Sequence, residues 1–141
     1  MDFISNSEQE TIGFAFNFSK KVKKGSIIAL IGNMGSGKTI FAKGFAKGLS
    51  INEHVGSPTF KIVSEYKGKP FDLYHIDTYR LDGPNDFIKI GGEEYIYQQT
   101  GITMIEWADL IEDILPINRI TITFKRLEKT ESRFIQIDGI I

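Results

Sequence analysis

Residues 26–39 read Ser26-Ile27-Ile28-Ala29-Leu30-Ile31-Gly32-Asn33-Met34-Gly35-Ser36-Gly37-Lys38-Thr39. The opening run from Ser26 to Ile31 is short, mostly apolar and rich in isoleucine, and Gly32 ends it, as expected of a buried strand. Gly32 to Thr39 satisfies G-x-x-x-x-G-K-[ST] in full, and Lys38 to Leu49 continues as a helix with Phe41, Ala42, Phe45 and Leu49 on one face. Strand, glycine-rich loop and helix in that order suit a phosphate. Glycines let the backbone wrap the anion at close range, and successive N–H groups, with the positive end of the following helix, then point at it. Lys38 is expected to reach the β- and γ-phosphates and the Thr39 hydroxyl to bind magnesium. The nucleotide cradle is therefore read as Asn33, Met34, Gly35, Ser36, Gly37, Lys38, Thr39 and Ile40.

A magnesium–nucleotide site also needs a carboxylate, and P-loop folds deliver one at the end of a hydrophobic strand beside the loop. Asp77 closes Leu73-Tyr74-His75-Ile76, and Glu106 closes Ile102-Thr103-Met104-Ile105. His75 precedes Asp77 by two positions, so on a strand both side chains share a face, where the imidazole can orient the acid or a water or simply pack. His54 has no discernible partner. Trp107, the single tryptophan, would point to the opposite face from Glu106 if the strand continued, and packing is its ordinary role there. Ser57-Pro58-Thr59-Phe60 falls in a loop after the P-loop helix, where such proteins often place a segment that senses the γ-phosphate.

Outward from this centre, Ile12, Ala15, Phe16 and Val22 recur at helical spacing between Ser7 and Lys24, after a capping-box-like Ser7-Glu8-Gln9-Glu10. Lys20, Lys21, Lys23 and Lys24 read as cations complementing that helix's C-terminus. Phe60 to Tyr66 and Phe71 to Asp77 look like an antiparallel hairpin across Lys67-Gly68-Lys69-Pro70. From Asp82 to Gln99 the chain is broken at Gly83-Pro84 and at Gly91-Gly92, with a short helix from Glu93 to Gln99. Ile102 to Glu106 is a strand, Asp109 to Leu115 a short helix stopped by Pro116, and Arg119 to Lys125 with Arg133 to Asp138 a closing pair of strands. The fold class this predicts is α/β, a three-layer P-loop domain over residues 1–141. Its mixed, largely parallel central sheet has parallel strands ending at Gly32, Asp77 and Glu106 and helices on both faces.

Composition bounds the function. A chain of 141 residues suits one domain, and 41% hydrophobic with 25% charged residues is ordinary for a globular protein. Seventeen Lys and Arg against 18 Asp and Glu leave a net charge of -1, which argues against gripping nucleic acid by bulk electrostatics. With no cysteine there is no disulfide, thiolate zinc site, iron–sulfur cluster or cysteine nucleophile. No basic-then-hydrophobic leader opens the chain and no stretch approaches the roughly 18 apolar residues that span a bilayer, so a soluble cytoplasmic protein with no membrane partner is expected. A small-molecule kinase would need an arginine-rich lid, yet only Arg80, Arg119, Arg126 and Arg133 occur. A guanine-nucleotide switch would need [NT]-K-x-D, which is absent.

Taken together, Gly32 to Thr39, Ser57-Pro58-Thr59-Phe60, His75-Ile76-Asp77-Thr78-Tyr79-Arg80-Leu81 and Glu106-Trp107 resemble the TsaE (formerly YjeE) family of small bacterial P-loop ATPases. The resemblance implies an ATPase needed to make threonylcarbamoyladenosine in tRNA, working with TsaD and TsaB partners and meeting tRNA only through that complex. It implies that Lys38 and the loop hold the phosphates of ATP, that Thr39 and Glu106 hold Mg2+, and that Asp77 is the acid near the hydrolytic water. It further implies that Thr11 and Arg133 lie near the base end of the nucleotide and that Trp107 matters for activity, with Arg80 a candidate for charge stabilisation. The chain departs from the family's usual residues at Asn33, Ser36 and Ala108, where aspartate, alanine and proline are common. Backbone cradling does not depend on those side chains. A further alternative keeps the ATP site but uses occupancy chiefly to assemble a complex, with hydrolysis as a reset.

Overall fold

Strand β2, Ile27–Ile31, carries apolar side chains on both faces, so it can be stable only with cover on each side. The computed structural model, which describes residues 1–56, 62–127 and 131–139, supplies that cover. Ile28 and Leu30 pack under helices α1 (Glu8–Ser19) and α2 (Lys38–Gly48), with Phe18, Phe41, Phe45 and Leu49. Ile27 and Ala29 face the other way, toward α3 (Pro84–Lys89), α4 (Glu93–Tyr97) and a 3-10 helix at Ala108–Ile114, with Phe87, Ile96 and Ile111. Three layers result.

Seven strands form one sheet, with β1 (Asp2–Ser5), β3 (Val63–Tyr66), β4 (Asp72–Asp77), β5 (Gly101–Glu106), β6 (Ile120–Arg126) and β7 (Arg133–Asp138) completing the order β1-β7-β6-β2-β5-β4-β3. The centre is parallel, β2 lying between β5 and β6 and β4 pairing with β5. The edges are antiparallel, β3 on β4 and β7 between β6 and β1. The P-loop fold class and the closing strand pair are as the sequence predicts; of the predicted hairpin, Val63–Tyr66 pairs antiparallel with β4, and Phe60 and Lys61 lie outside the described residues.

Several local expectations are corrected. Helix α1 ends at Ser19 with Lys20 as its cap, so the lysine run lies beyond the helix, and Val22 is buried from the segment that follows. Lys20 reaches across to the Gly48 carbonyl at 2.6 Å and lies over the Phe16 ring, satisfying the C-terminus of α2 instead of its own helix. Gly83-Pro84 opens a helix instead of breaking the chain, because proline is tolerated in the first turn, where its missing N–H would have no partner anyway. The segment after β5 is a 3-10 helix with a kink at Ile111. Strand β1 has no counterpart in the sequence reading; its four residues are too few for a period to show.

Helices α1 and α2 approach through glycine. A Cβ at Gly44 would lie 2.5 Å from the Ile12 carbonyl oxygen and 3.0 Å from the Ala15 Cβ. Gly44→Ala should gain up to about 1 kcal/mol of helix propensity but lose roughly 1–3 kcal/mol by overpacking against backbone that cannot yield. The expected outcome is net destabilisation, read as a lower midpoint in urea without a change in slope; a raised midpoint would refute the contact.

Candidate functional site

The parallel register brings three strand ends together. Leu30 lies opposite Glu106 and Glu106 opposite Asp77, so the carboxyl edge of the sheet presents two acids beside the turn that leaves β2. Ligands of open α/β sheets bind at this edge. Leu73, His75 and Asp77 share one face of β4, as Ile102, Met104 and Glu106 do of β5, and both acids are buried, leaving 4% and 2% of their surfaces exposed.

The glycine loop follows the strand as its pattern demands. Gly35 and Gly37 take φ of +79° and +108°, and Gly37 caps α2 from the left-handed region without a side chain of its own. At Gly32 any Cβ would sit 2.7 Å from Ser36 Oγ and 2.8 Å from the Phe124 carbonyl, so only glycine fits. Lys38 is buried at the start of α2, and its ammonium donates to the Gly32 carbonyl. Burial pushes the lysine below its ordinary range, against the opposing pull of Glu106, Asp77 and Asp109. One cation thus faces three carboxylates.

Glu106 is held from two sides. His75 Nε2 lies 2.6 Å from its Oε2, and Thr39 Oγ1 lies 3.4 Å from its Oε1. The second separation is long for a hydroxyl–carboxylate hydrogen bond, so Thr39 Oγ1 and Glu106 Oε1 keep capacity for a hard cation while His75 engages Oε2. Asp77 Oδ1 accepts from the Tyr79 N–H at 2.9 Å. His75 therefore pairs with the acid on the neighbouring strand, not with the acid two residues along its own.

Trp107 does not continue the strand. At φ +59°, ψ 38° its backbone is left-handed, which removes the alternation that would have sent the indole to the opposite face. Instead its ring covers the Lys38 ammonium, 3.5 Å from the centroid, and meets Tyr79 at 4.9 Å. A cavity of about 640 Å³ opens beside these groups, in the size range of nucleotide and cofactor clefts. Met34, Gly35, Gly37, Lys38, Thr39 and Ile40 line it along the loop, with Asp77, Glu106 and Trp107 at the sheet edge. Ser7, Glu8, Thr11, Arg126, Glu131 and Arg133 line the remaining wall.

With that geometry in view, the sequence profile described as "Threonylcarbamoyl adenosine biosynthesis protein TsaE" matches residues 5–135. The chain belongs to the TsaE family. Curated TsaE relatives include those of Bacillus subtilis (42% identical, covering 84% of this chain and 73% of the relative) and Treponema pallidum (39%, covering 90% and 93%). The TsaE of Borreliella burgdorferi is 37% identical over 94% of this chain and 96% of its own. The crystal structure of YdiB from Bacillus subtilis superposes with a TM-score of 0.85 at 34% identity, covering all of this chain and 86% of that one.

Set on this TsaE fold, the predicted site residues fall into three groups. Lys38, Thr39, Asp77, Glu106, Trp107, Thr11 and Arg133 all face the one cavity. Asn33 is exposed and Ser36 buried, neither lining it; the Ser36 hydroxyl has no partner among the described residues. Arg80 is exposed and also outside the lining. Ser57-Pro58-Thr59-Phe60 lies outside the described residues. Thr11 is fixed by a 2.6 Å hydroxyl contact with Ser5 on β1, and Arg133 packs beside Gly37. Sequence reasoning missed Tyr79, Arg126, Glu131 and the α1 start at Ser7 and Glu8. For Tyr79 a signal existed, since it lies two residues beyond Asp77; the others depend on how β1, β6 and β7 close the sheet.

Among the described residues no group of three or more histidine, cysteine, aspartate or glutamate side chains forms a metal cage. Thr39 Oγ1 and Glu106 Oε1, 3.4 Å apart, are the oxygen donors nearest the loop that could hold a hard cation alongside a phosphate ligand. No helix among the described residues is long and apolar enough to cross a membrane.

Proposed function

We propose that this TsaE-family protein is a slow, magnesium-dependent ATPase required for threonylcarbamoyladenosine biosynthesis on tRNA, acting in the cytoplasm with TsaD and TsaB homologues. Family membership supports the pathway. One observation carries the chemistry: a complete phosphate-binding loop at the mouth of a nucleotide-sized cavity, its lysine facing two buried strand-end acids.

In this reading the loop amides and Lys38 bind the phosphates, and Thr39 and Glu106 hold Mg2+. The acids support the need for a metal, because a polyphosphate entering beside Glu106 and Asp77 would otherwise meet like charge. When bound, the ion neutralises charge on the transferring phosphoryl group. His75 fixes the orientation of Glu106 through the other carboxylate oxygen, in the manner of groups that orient metal ligands. Asp77 positions the water for in-line attack on the γ-phosphoryl group and takes up its proton, and Lys38 stabilises the charge that develops. Arg126 and Arg133 on the far wall, with Thr11, suit the nucleoside end of ATP. Threonylcarbamoyl transfer itself is assigned to the partners.

Calorimetric titration should show ADP binding with a clear preference over GDP, and hydrolysis should be slow for the protein alone and faster once TsaD and TsaB homologues are added. Absence of heat with any adenine nucleotide would refute the reading; unchanged turnover on adding the partners would refute activation within a complex.

A further inference from the structure

The acid that ends β4 is physically joined to the P-loop lysine through a short aromatic relay. Asp77 Oδ1 fixes the Tyr79 backbone by accepting its N–H at 2.9 Å, so the Tyr79 ring departs from a tethered turn. That ring meets the Trp107 indole with centroids 4.9 Å apart and planes inclined at 46°. The indole in turn lies over Lys38 Nζ, 3.5 Å from the ring centroid. Beneath this chain, the Thr78 hydroxyl donates to the Trp107 carbonyl at 2.6 Å with the Glu106 carbonyl 3.1 Å away, holding the left-handed backbone that turns the indole inward.

A left-handed conformation at a bulky residue is costly, of the order of 1–3 kcal/mol, and persists only where the surroundings over-determine it. Here the hydroxyl of Thr78 determines the backbone, and the Tyr79 ring determines the side chain. Aromatic pairs at this separation favour defined mutual orientations, and a cation–π contact requires the ammonium over the ring face. The orientation of the indole thus sets how Lys38 is shared between Gly32, Trp107 and an incoming phosphate.

We infer that Tyr79 is a positioning residue for hydrolysis, aligning the Trp107 indole over the Lys38 ammonium. The inference rests on the ATPase reading above and adds a role for a residue that lines the cavity with half of its surface exposed. Tyr79 acts through Trp107, and the ring, not its hydroxyl, does so.

The test uses the full chain with Tyr79→Ala and Tyr79→Phe. Trp107 is the only tryptophan, so intrinsic emission reports the indole directly. Without nucleotide, Tyr79→Ala should shift the emission to longer wavelength and increase quenching by acrylamide, as the uncovered indole meets water. Its kcat for ATP should fall about tenfold through misalignment of Lys38, with KM and ADP affinity changing by a smaller factor because the backbone cradle remains. Tyr79→Phe should recover the emission and most of the turnover. Unchanged emission in Tyr79→Ala would overturn the contact; changed emission with unchanged kcat would overturn the role in the reaction. A wild-type chain that neither binds ADP nor hydrolyses ATP would overturn the ATPase reading and the reaction role together, and is told apart because the emission comparison still reads the Tyr79–Trp107 contact. Because half of Tyr79 faces solvent, both variants should melt cooperatively near the wild type, and matched far-UV spectra confirm that folded proteins are compared.

Discussion

Lys38→Ala should reduce ATP hydrolysis by about a hundredfold to a thousandfold and, in cells depleted of the native protein, should fail to restore threonylcarbamoyladenosine. The magnitude follows from the kind of interaction removed. Lys38 is a partly desolvated cation already held by the Gly32 carbonyl and the Trp107 ring, so it meets a phosphate with little remaining reorganisation, and it supports charge that grows as the γ-phosphoryl group transfers. Ground-state binding should suffer less, because the loop amides and the start of α2 remain. The loss of one charge-assisted hydrogen bond is worth about 1.5–3 kcal/mol, or roughly tenfold to a hundredfold in affinity. Stability does not mimic this result. Removing the lysine relieves a desolvated cation while exposing Glu106 and Asp77 to each other without their shared counter-charge, two effects of opposite sign. The measurements are modified-nucleoside content in tRNA and ADP calorimetry on the folded variant; normal modification with Lys38→Ala would refute an essential nucleotide role.

Much of the site was legible because its parts obey local rules. The loop needs its glycines where φ is positive, and Asp77 and Glu106 end apolar runs, so both were candidates for the acid that a P-loop fold places at a strand end, and the β4–β5 register brings both to one sheet edge. What could not be read is set by contacts between distant segments. His75 shares a face with Asp77 as alternation requires, yet its partner Glu106 is 31 positions away and becomes a neighbour only through the β4–β5 pairing. Trp107 was expected to point away because nothing local announces that Thr78 would draw its carbonyl into a left-handed turn. Lys20 looked like a cation for its own helix, and only the close α1–α2 approach through Gly44 and Gly48 shows which carbonyl it satisfies.

Asp77→Asn should separate chemistry from assembly. The substitution is close to isosteric, and the amide oxygen can still accept the Tyr79 N–H that the carboxylate now accepts at 2.9 Å, so the turn and the aromatic contacts it supports should remain. What disappears is negative charge and basicity at one buried position beside the cavity. A residue that orients water and takes up its proton contributes about a hundredfold to ten-thousandfold, so turnover should fall within that range. ADP affinity should hold or rise, since one carboxylate no longer opposes the incoming phosphates. If hydrolysis drives the modification cycle, cells relying on Asp77→Asn should lose threonylcarbamoyladenosine while the purified variant still binds ATP and still joins its partners. If occupancy alone assembles the complex, modification should persist with hydrolysis abolished. Unaltered hydrolysis by the folded variant would instead remove Asp77 from the reaction and leave Glu106 as the sole strand-end acid with a part in it.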